Sequence, residues 1–319
     1  MHQLLNDDQD WIRTMGPNTR AHRRELPRLM VQLSHFSDQL PRALFLLDVK
    51  KVGKTTDRGG GSADIYGATL NHQRVALKRL RCFMNTTPPE RQKLSRDLSR
   101  EALLWRHLRH PNVLQFLGVD NISFTGMPCM VLPWVERGNI LQHIKGLRPH
   151  PSSMQLNIWL RDIAAGMTYL HTEAIIHGDL RCSNILVADN GLAQLTHFGL
   201  SVFADERSRS HHSLRGGAAR WLAPEILDPS IFERQSSRPT YASDVYSFGC
   251  LCVEFTHASD RLTNLGTFRY SIWSSAVYGL HVQRCRMERQ CQNTYGLGLM
   301  LAGVITAKID HKWALFGRS

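Results

Sequence analysis

Residues able to handle phosphate, metal or a proton gather in a few short stretches. The run His177-Gly178-Asp179-Leu180-Arg181-Cys182-Ser183-Asn184 sets a carboxylate, a cation and an amide close together, ahead of the apolar Ile185-Leu186-Val187. Thirteen residues past Asn184 stands His197, followed by Phe198 and Gly199. Upstream, the cluster Gly59-Gly60-Gly61 precedes Val75-Ala76-Leu77-Lys78, and Arg100-Glu101 follows. Glycines free of side chains let backbone N–H groups approach phosphate oxygens. A carboxylate gives magnesium hard oxygens and a negative charge, whereas an imidazole is softer and suits zinc or copper better. Phosphoryl transfer asks mainly for such positioning and charge neutralisation.

The elements that must hold these residues are readable from the pattern. Leu26, Leu29, Met30, Leu33 and Phe36 form a helical stripe in an extension reaching to about residue 43. Pro27 fits that helix only in its first turn, and Pro41 ends the stretch. Ile65–Ala68 and Arg74–Lys78 read as a hairpin around Asn71-His72-Gln73. Pro88-Pro89-Glu90 opens a helix to about His107, and His110-Pro111-Asn112 breaks it. Val113–Val119 and Met130–Trp134 read as two more strands. Leu156, Trp159, Leu160, Ile163, Ala164, Met167 and Leu170 mark a helix over Met154–His171, and Tyr241–Phe255 is an apolar helix. The polar, serine-rich Ser201–Gly217 reads as an exposed loop. A β-rich half followed by a helical half is the order of a bilobal α+β domain.

Bulk properties bound the rest. The chain has 319 residues, 42% apolar and 21% charged, with a formal net charge of +12. Such a surface suits acidic or phosphorylated protein partners. No basic run is interleaved with aromatics, so nucleic acid is not the expected partner. Seven scattered cysteines without a C-x-x-C pair read as reduced thiols filling the core. The N-terminus lacks the pattern of a signal peptide, and the apolar tract Tyr295–Ile305 is too short to span a bilayer. A soluble cytoplasmic protein without membrane contact is expected.

Over roughly residues 48 to 257 the motifs resemble, in order, those of a protein kinase domain. The phrases G-G-G-S-A-D-I-Y, R-E-A-L-L-W-R-H-L-R-H-P-N-V-L-Q-F-L-G-V, H-G-D-L and R-W-L-A-P-E are similar to the tyrosine kinase-like group, especially kinases expanded in mushroom-forming fungi. The resemblance implies a bilobal α+β kinase-like fold using ATP with magnesium. It makes Lys78 the phosphate-binding lysine and Glu101 its partner. Gly60, Gly61, Ala76, Leu132, Pro133 and Trp134 would line the nucleotide, Leu132 gating the back of the adenine pocket and Pro133-Trp134 forming the hinge. Asp179 would orient the substrate hydroxyl, Arg181 would face the γ-phosphate and Asn184 would hold a metal. Phe198, Gly199, Glu225 and Asp244 would serve structure, Glu225 by pairing with a buried arginine and Asp244 by anchoring the catalytic loop.

The sequence departs from the family pattern at several of these points. The glycine-loop pattern falls on Arg58, Gly60 and Ala63, keeping only the middle glycine, and Ser62 stands where an aromatic is usual. Gly178 replaces the arginine that reads a phosphorylated activation loop, and Arg181 replaces lysine. Ala218 replaces a hydroxyl residue and cannot donate a hydrogen bond. His197 replaces the magnesium-binding aspartate. With no cysteine or histidine cluster around it, it reads as a space-filling residue rather than a ligand. Losing that ligand should cost several kcal/mol in the transition state, roughly a thousandfold or more in rate.

After His257 the expected motifs are missing, which predicts an incomplete C-terminal lobe. Arg284, Arg286 and Arg289 do not match the context of the arginine expected for Glu225. The expected organisation is a helical extension over 1–43, a kinase-like domain over 44–257, and a divergent or mispredicted tail over 258–319. Three functional outcomes stay open: an impaired kinase or pseudokinase with a regulatory protein partner and weak or absent nucleotide binding, a working Ser/Thr or Tyr kinase acting on a protein substrate, or a truncated fragment without function. Ser208, Ser210 and Ser213 are candidate phosphorylation sites.

Overall fold

A computed structural model of the chain describes residues 19–53, 56–59, 63–81, 87–124, 128–149, 151–204 and 219–259, with some side chains in the first and last helices and in the strand at 58–59 left out. Helix α1 (Thr19–Ser37) comes first. It is followed by strands β1 (Lys50–Lys51), β2 (Arg58–Gly59), β3 (Ala63–Leu70) and β4 (Gln73–Leu80), then by helix α2 (Pro88–Arg106), β5 (Gly118–Asp120) and β6 (Cys129–Pro133). These strands form one antiparallel sheet in the order β1-β3-β4-β6-β5, with β2 on β3. The β3–β4 hairpin turns on two residues, Asn71 (φ 49°) and His72 (φ 64°), and Gln73 already pairs with Leu70. Two left-handed residues match the twist of the strands, so the turn is tighter than the three-residue polar stretch suggested.

The second half is helical. Helices α3 (Ile140–Gly146) and α4 (Ser153–Thr172) lead to β7 (Ile175–Ile176), β8 (Ile185–Val187), β9 (Ala193–Leu195) and β10 (Val202–Phe203), then to α5 (Pro224–Leu227) and α6 (Tyr241–Ser259). Strands β8 and β9 form one ribbon, β7 and β10 another. Helix α4 buries Leu156, Trp159, Leu160, Ile163, Met167 and Leu170, the stripe its spacing predicts. A bilobal α+β kinase-like architecture results. Among the described cysteines, Cys129, Cys182 and Cys252 are buried, and none is in a disulfide.

Two expectations are corrected. Pro27 lies well inside α1, not in its first turn, and the buried face is Met30, Val31 and Ser34, while Leu29 and Phe36 point to solvent. The lost backbone donor at Pro27 is offset by packing of the following turns against α2. The segment Val113–Leu117 is not a strand. Leu114 N donates to Leu195 O (2.9 Å) and Leu117 N to Val131 O (3.0 Å), so this stretch crosses between the lobes, and only Gly118–Asp120 joins the sheet.

Candidate functional site

The site lies where the sheet meets the helical half. Strand β4 places Lys78 opposite Met130 of β6, and Ala76 opposite Leu132. Alternation along β4 turns Ala76 and Lys78 to the same face. Helix α2 begins at a capping box, Thr87 with Glu90, and brings Glu101 to that face. Lys78 Nζ is 2.6 Å from Glu101 Oε1, and both side chains are almost wholly buried. Gly199 leaves room for this pair, since a Cβ on it would stand 3.1 Å from Glu101 Oε2. Ala76 and Leu132 are buried, Pro133 and Trp134 partly so, and the Arg74 guanidinium lies 4.0 Å from the centre of the Trp134 ring. Gly60, Gly61 and Ser62 lie outside the described residues.

The loop after β7 is held from beneath by one buried carboxylate. Asp244 Oδ2 accepts from His177 N (2.8 Å), Asp244 Oδ1 accepts from Gly178 N (2.9 Å), and His171 Nε2 lies 2.9 Å from Oδ2. Gly178 has φ +75°, and a Cβ there would meet Leu200 O at 2.8 Å, so the position takes glycine. His177 is fully buried; Asp179 N donates to its Nδ1 (3.2 Å), so the ring proton sits on Nε2 and faces Thr196 O (3.1 Å). Burial pushes its pKa below the usual histidine range and keeps it neutral.

Asn184 Nδ2 donates to Asp179 Oδ2 (2.8 Å) and to Asp179 O (2.7 Å), fixing the carboxylate. The Arg181 Nε lies 3.2 Å from Asp179 Oδ1, an ion-pair contact without hydrogen-bond geometry, and its guanidinium is 5.9 Å from the Trp221 ring. Glu254 Oε2 accepts from Cys182 N and from Trp221 Nε1, both at 3.0 Å. It thereby ties the loop to the residues before Ala223-Pro224-Glu225.

Phe198 is buried against Trp105 (ring centres 4.8 Å apart) and His177 (5.3 Å), and Trp105 meets Phe116 at 6.1 Å. Trp105 Nε1 donates to Leu114 O (2.6 Å). A continuous column thus runs from Asp244 through His177 and Phe198 to α2. Beside it, His197 takes the left-handed conformation (φ 70°), which histidine tolerates better than most residues. Its Nδ1 lies 3.0 Å from Lys78 Nζ. A lysine ammonium has only donors, so Nδ1 accepts and the ring proton sits on Nε2, which is 3.8 Å from Asp179 Oδ2. The imidazole bridges the lysine and the loop carboxylate.

Of the residues expected from sequence, the structure brings Lys78, Glu101, Asp179, Arg181, Asn184 and His197 together, with Phe198, Gly199 and Asp244 behind them. Among the described residues no cation pairs with Glu225 in an ion pair, while Ala218, Ser208, Ser210, Ser213, Arg284, Arg286 and Arg289 lie outside them. Sequence reasoning missed Trp105, His171 and Glu254. Trp105 alone carried a signal, as a large aromatic one turn beyond Glu101 on the same helix.

The protein tyrosine and serine/threonine kinase family matches residues 58–291, and the chain belongs to it. It is 29% identical over 200 residues to the serine/threonine/tyrosine-protein kinase HT1 of Arabidopsis thaliana, covering 62% of this chain and 48% of that protein. It is 29% identical to the serine/threonine-protein kinase STY46 of the same plant over 61% of this chain and 31% of the relative. It is 27% identical to that plant's mitogen-activated protein kinase kinase kinase 5 over 64% and 28%. The chain spans less than half the length of these relatives.

Protein kinases generally use ATP and magnesium. Among the described residues, no group of three or more His, Cys, Asp or Glu side chains could hold a metal ion. Around Asp179 the further donors are the Asn184 amide oxygen and an imidazole whose Nδ1 already faces Lys78. Magnesium prefers several hard, partly anionic oxygens, so this donor set fits it poorly. Among the described residues no helix is long and apolar enough to cross a membrane.

Proposed function

We propose that this protein is a kinase-fold module whose phosphoryl transfer from ATP is strongly impaired, and which acts through contacts with a protein partner. One observation carries this reading: His197 stands where the family places its metal-binding aspartate, and it turns its lone pair to Lys78 at 3.0 Å. The lysine is thereby shared between Glu101 and the imidazole, which leaves Asp179 as the carboxylate not taken up by Lys78. Lys78, Glu101, Asp179, Arg181 and Asn184 take the positioning roles of the family. Ala76, Leu132, Pro133 and Trp134 would line the adenine side, and the sequence assigns Gly60 and Gly61 to the phosphates. Bound nucleotide needs little from magnesium in such a site.

A second reading, a working kinase that tolerates His197, draws support from the intact Lys78–Glu101 pair and the column through Phe198. The third, a fragment without function, requires that the chain lack cooperative unfolding. The test measures nucleotide affinity with magnesium and with a chelator, alongside phosphate transfer to a generic protein substrate. Impairment predicts affinities equal within about threefold, or no binding at all, and no transfer above that of Asp179→Asn. Magnesium-dependent transfer abolished by Asp179→Asn establishes the second reading instead.

The finer assignments belong to the same proposal. The likeness to the tyrosine kinase-like group is supported by the plant relatives, while that to mushroom-forming fungi rests on the sequence phrases alone. The division into 1–43, 44–257 and 258–319 stands as proposed, with the family match to residue 291 covering part of the last segment. A cytoplasmic setting is proposed from the sequence.

A further inference from the structure

The helix ahead of the kinase domain packs on α2, the helix that carries Glu101. We infer that residues 27–46 form a built-in brace that sets Glu101 against Lys78, with Met30 and Asp38 as positioning residues. This inference is independent of whether His197 abolishes transfer.

The burial of α2 asks for two supports. Glu101, Ala102, Leu103, Leu104 and Trp105 are all buried, five consecutive residues. At about 100° per residue, five in a row cover the whole circumference, so a sheet on one side cannot bury them all. Met30 and Val31 of α1 supply the other side, at 2% and 4% exposure, in one core cluster with Leu98, Ala102 and Trp105. Just past α1, Asp38 adopts a left-handed conformation (φ 51°) and aims its carboxylate back at α2. It accepts from Arg96 Nε (2.7 Å), Arg96 Nη2 (3.1 Å) and Gln92 Nε2 (2.9 Å). The two-pronged contact with Arg96 fixes direction as well as distance. Arg96 is little more than one turn before Glu101.

The chain after α1 is pinned at its far end too. Leu46 N donates to Val119 O (2.9 Å) at the edge of the sheet. Leu44 O passes so close to Gly118 that a Cβ there would stand 2.7 Å away. Arg28 rests 5.5 Å from the ring of Phe203, on the strand that follows the His197 segment. One stretch therefore touches α2, the sheet edge and the strand beyond Phe198. A rotation or outward swing of α2 that withdrew Glu101 would have to break these contacts together.

The test follows Lys78 itself, in the full-length chain. Lys78 is buried and paired, so a small amine-reactive acylating reagent, read by mass spectrometry, should label it slowly compared with the exposed Lys50 and Lys93. Met30→Ala should speed Lys78 labelling about tenfold and Asp38→Ala about threefold, with Lys50 and Lys93 unchanged. Amide exchange should quicken over 98–105 but not over 163–170 of α4. The paired exchange Asp38→Arg with Arg96→Asp should restore the wild-type rate. If Met30→Ala does not fold, the exposed Asp38→Ala and the charge exchange decide alone. Unchanged Lys78 labelling in the folded variants, or exchange quickened equally in α4, overturns the inference.

Discussion

Two regions a few ångströms apart differ in kind. One is the buried column of Asp244, His177, Phe198 and Trp105, where the Asp244 carboxylate, the His177 ring and the Trp105 indole N–H are all hydrogen-bonded and the rings touch. The other is the face that would meet phosphate and metal, where His197 departs from the family pattern. The column is part of the core of the fold, so any change there acts on folding itself. The opposite face serves a ligand, and substitutions that keep local conformation leave the fold intact. A change such as His197 on that face is compatible with an intact architecture.

The contrast can be broken by measurement. Phe198→Ala should cost about 4 kcal/mol, from lost burial and a cavity between Trp105 and His177, read by denaturant unfolding. Asp244→Ala should cost about 3 kcal/mol, because His177 N and Gly178 N lose their acceptor in a buried setting. Acid gives a smaller effect through His107, whose Nε2 has no hydrogen-bond partner among the described residues. Burial, helped by Arg106 and Arg109, pushes its pKa from 6.5 down to about 4. The unfolded chain then binds a proton that the folded one refuses, so stability is full above about pH 6.5 and falls below it, by about 2 kcal/mol at pH 5. His107→Gln should flatten that part of the pH–stability curve. The smallest effect belongs to His197→Asp, which keeps the left-handed backbone that aspartate also tolerates and should shift stability by under about 1 kcal/mol. If it costs as much as Phe198→Ala, the two regions are one.

Much of this arrangement is readable in the residues, and the remainder fails for physical reasons. Helix α2 is announced by Pro88-Pro89-Glu90 and α4 by a clear period, and the Asn71-His72 turn sits between alternating strands. The loop residues Asp179 and Asn184 announce themselves by spacing. The buried face of α1 lies about one position from the apolar stripe because Leu29 and Phe36 are apolar yet exposed, and helical period alone cannot tell which of two adjoining apolar faces is covered. Helix α3 is short, and its one signal, Asn139 three residues before Gln142, passes easily as a turn. The contact of Lys78 with His197 joins residues far apart in the chain and leaves no local trace. It changes the meaning of His197 from a space-filling residue to a bridge between lysine and loop.

On the proposed reading, His197 is a main reason why the site around Lys78 and Asp179 couples weakly to magnesium. The direct measurement is the magnesium dependence of ATP affinity for the wild-type chain and for His197→Asp. The predicted result is a wild-type affinity that changes less than about threefold between chelator and millimolar magnesium, against a gain of about tenfold or more in His197→Asp. Equal magnesium dependence in the two proteins would contradict it.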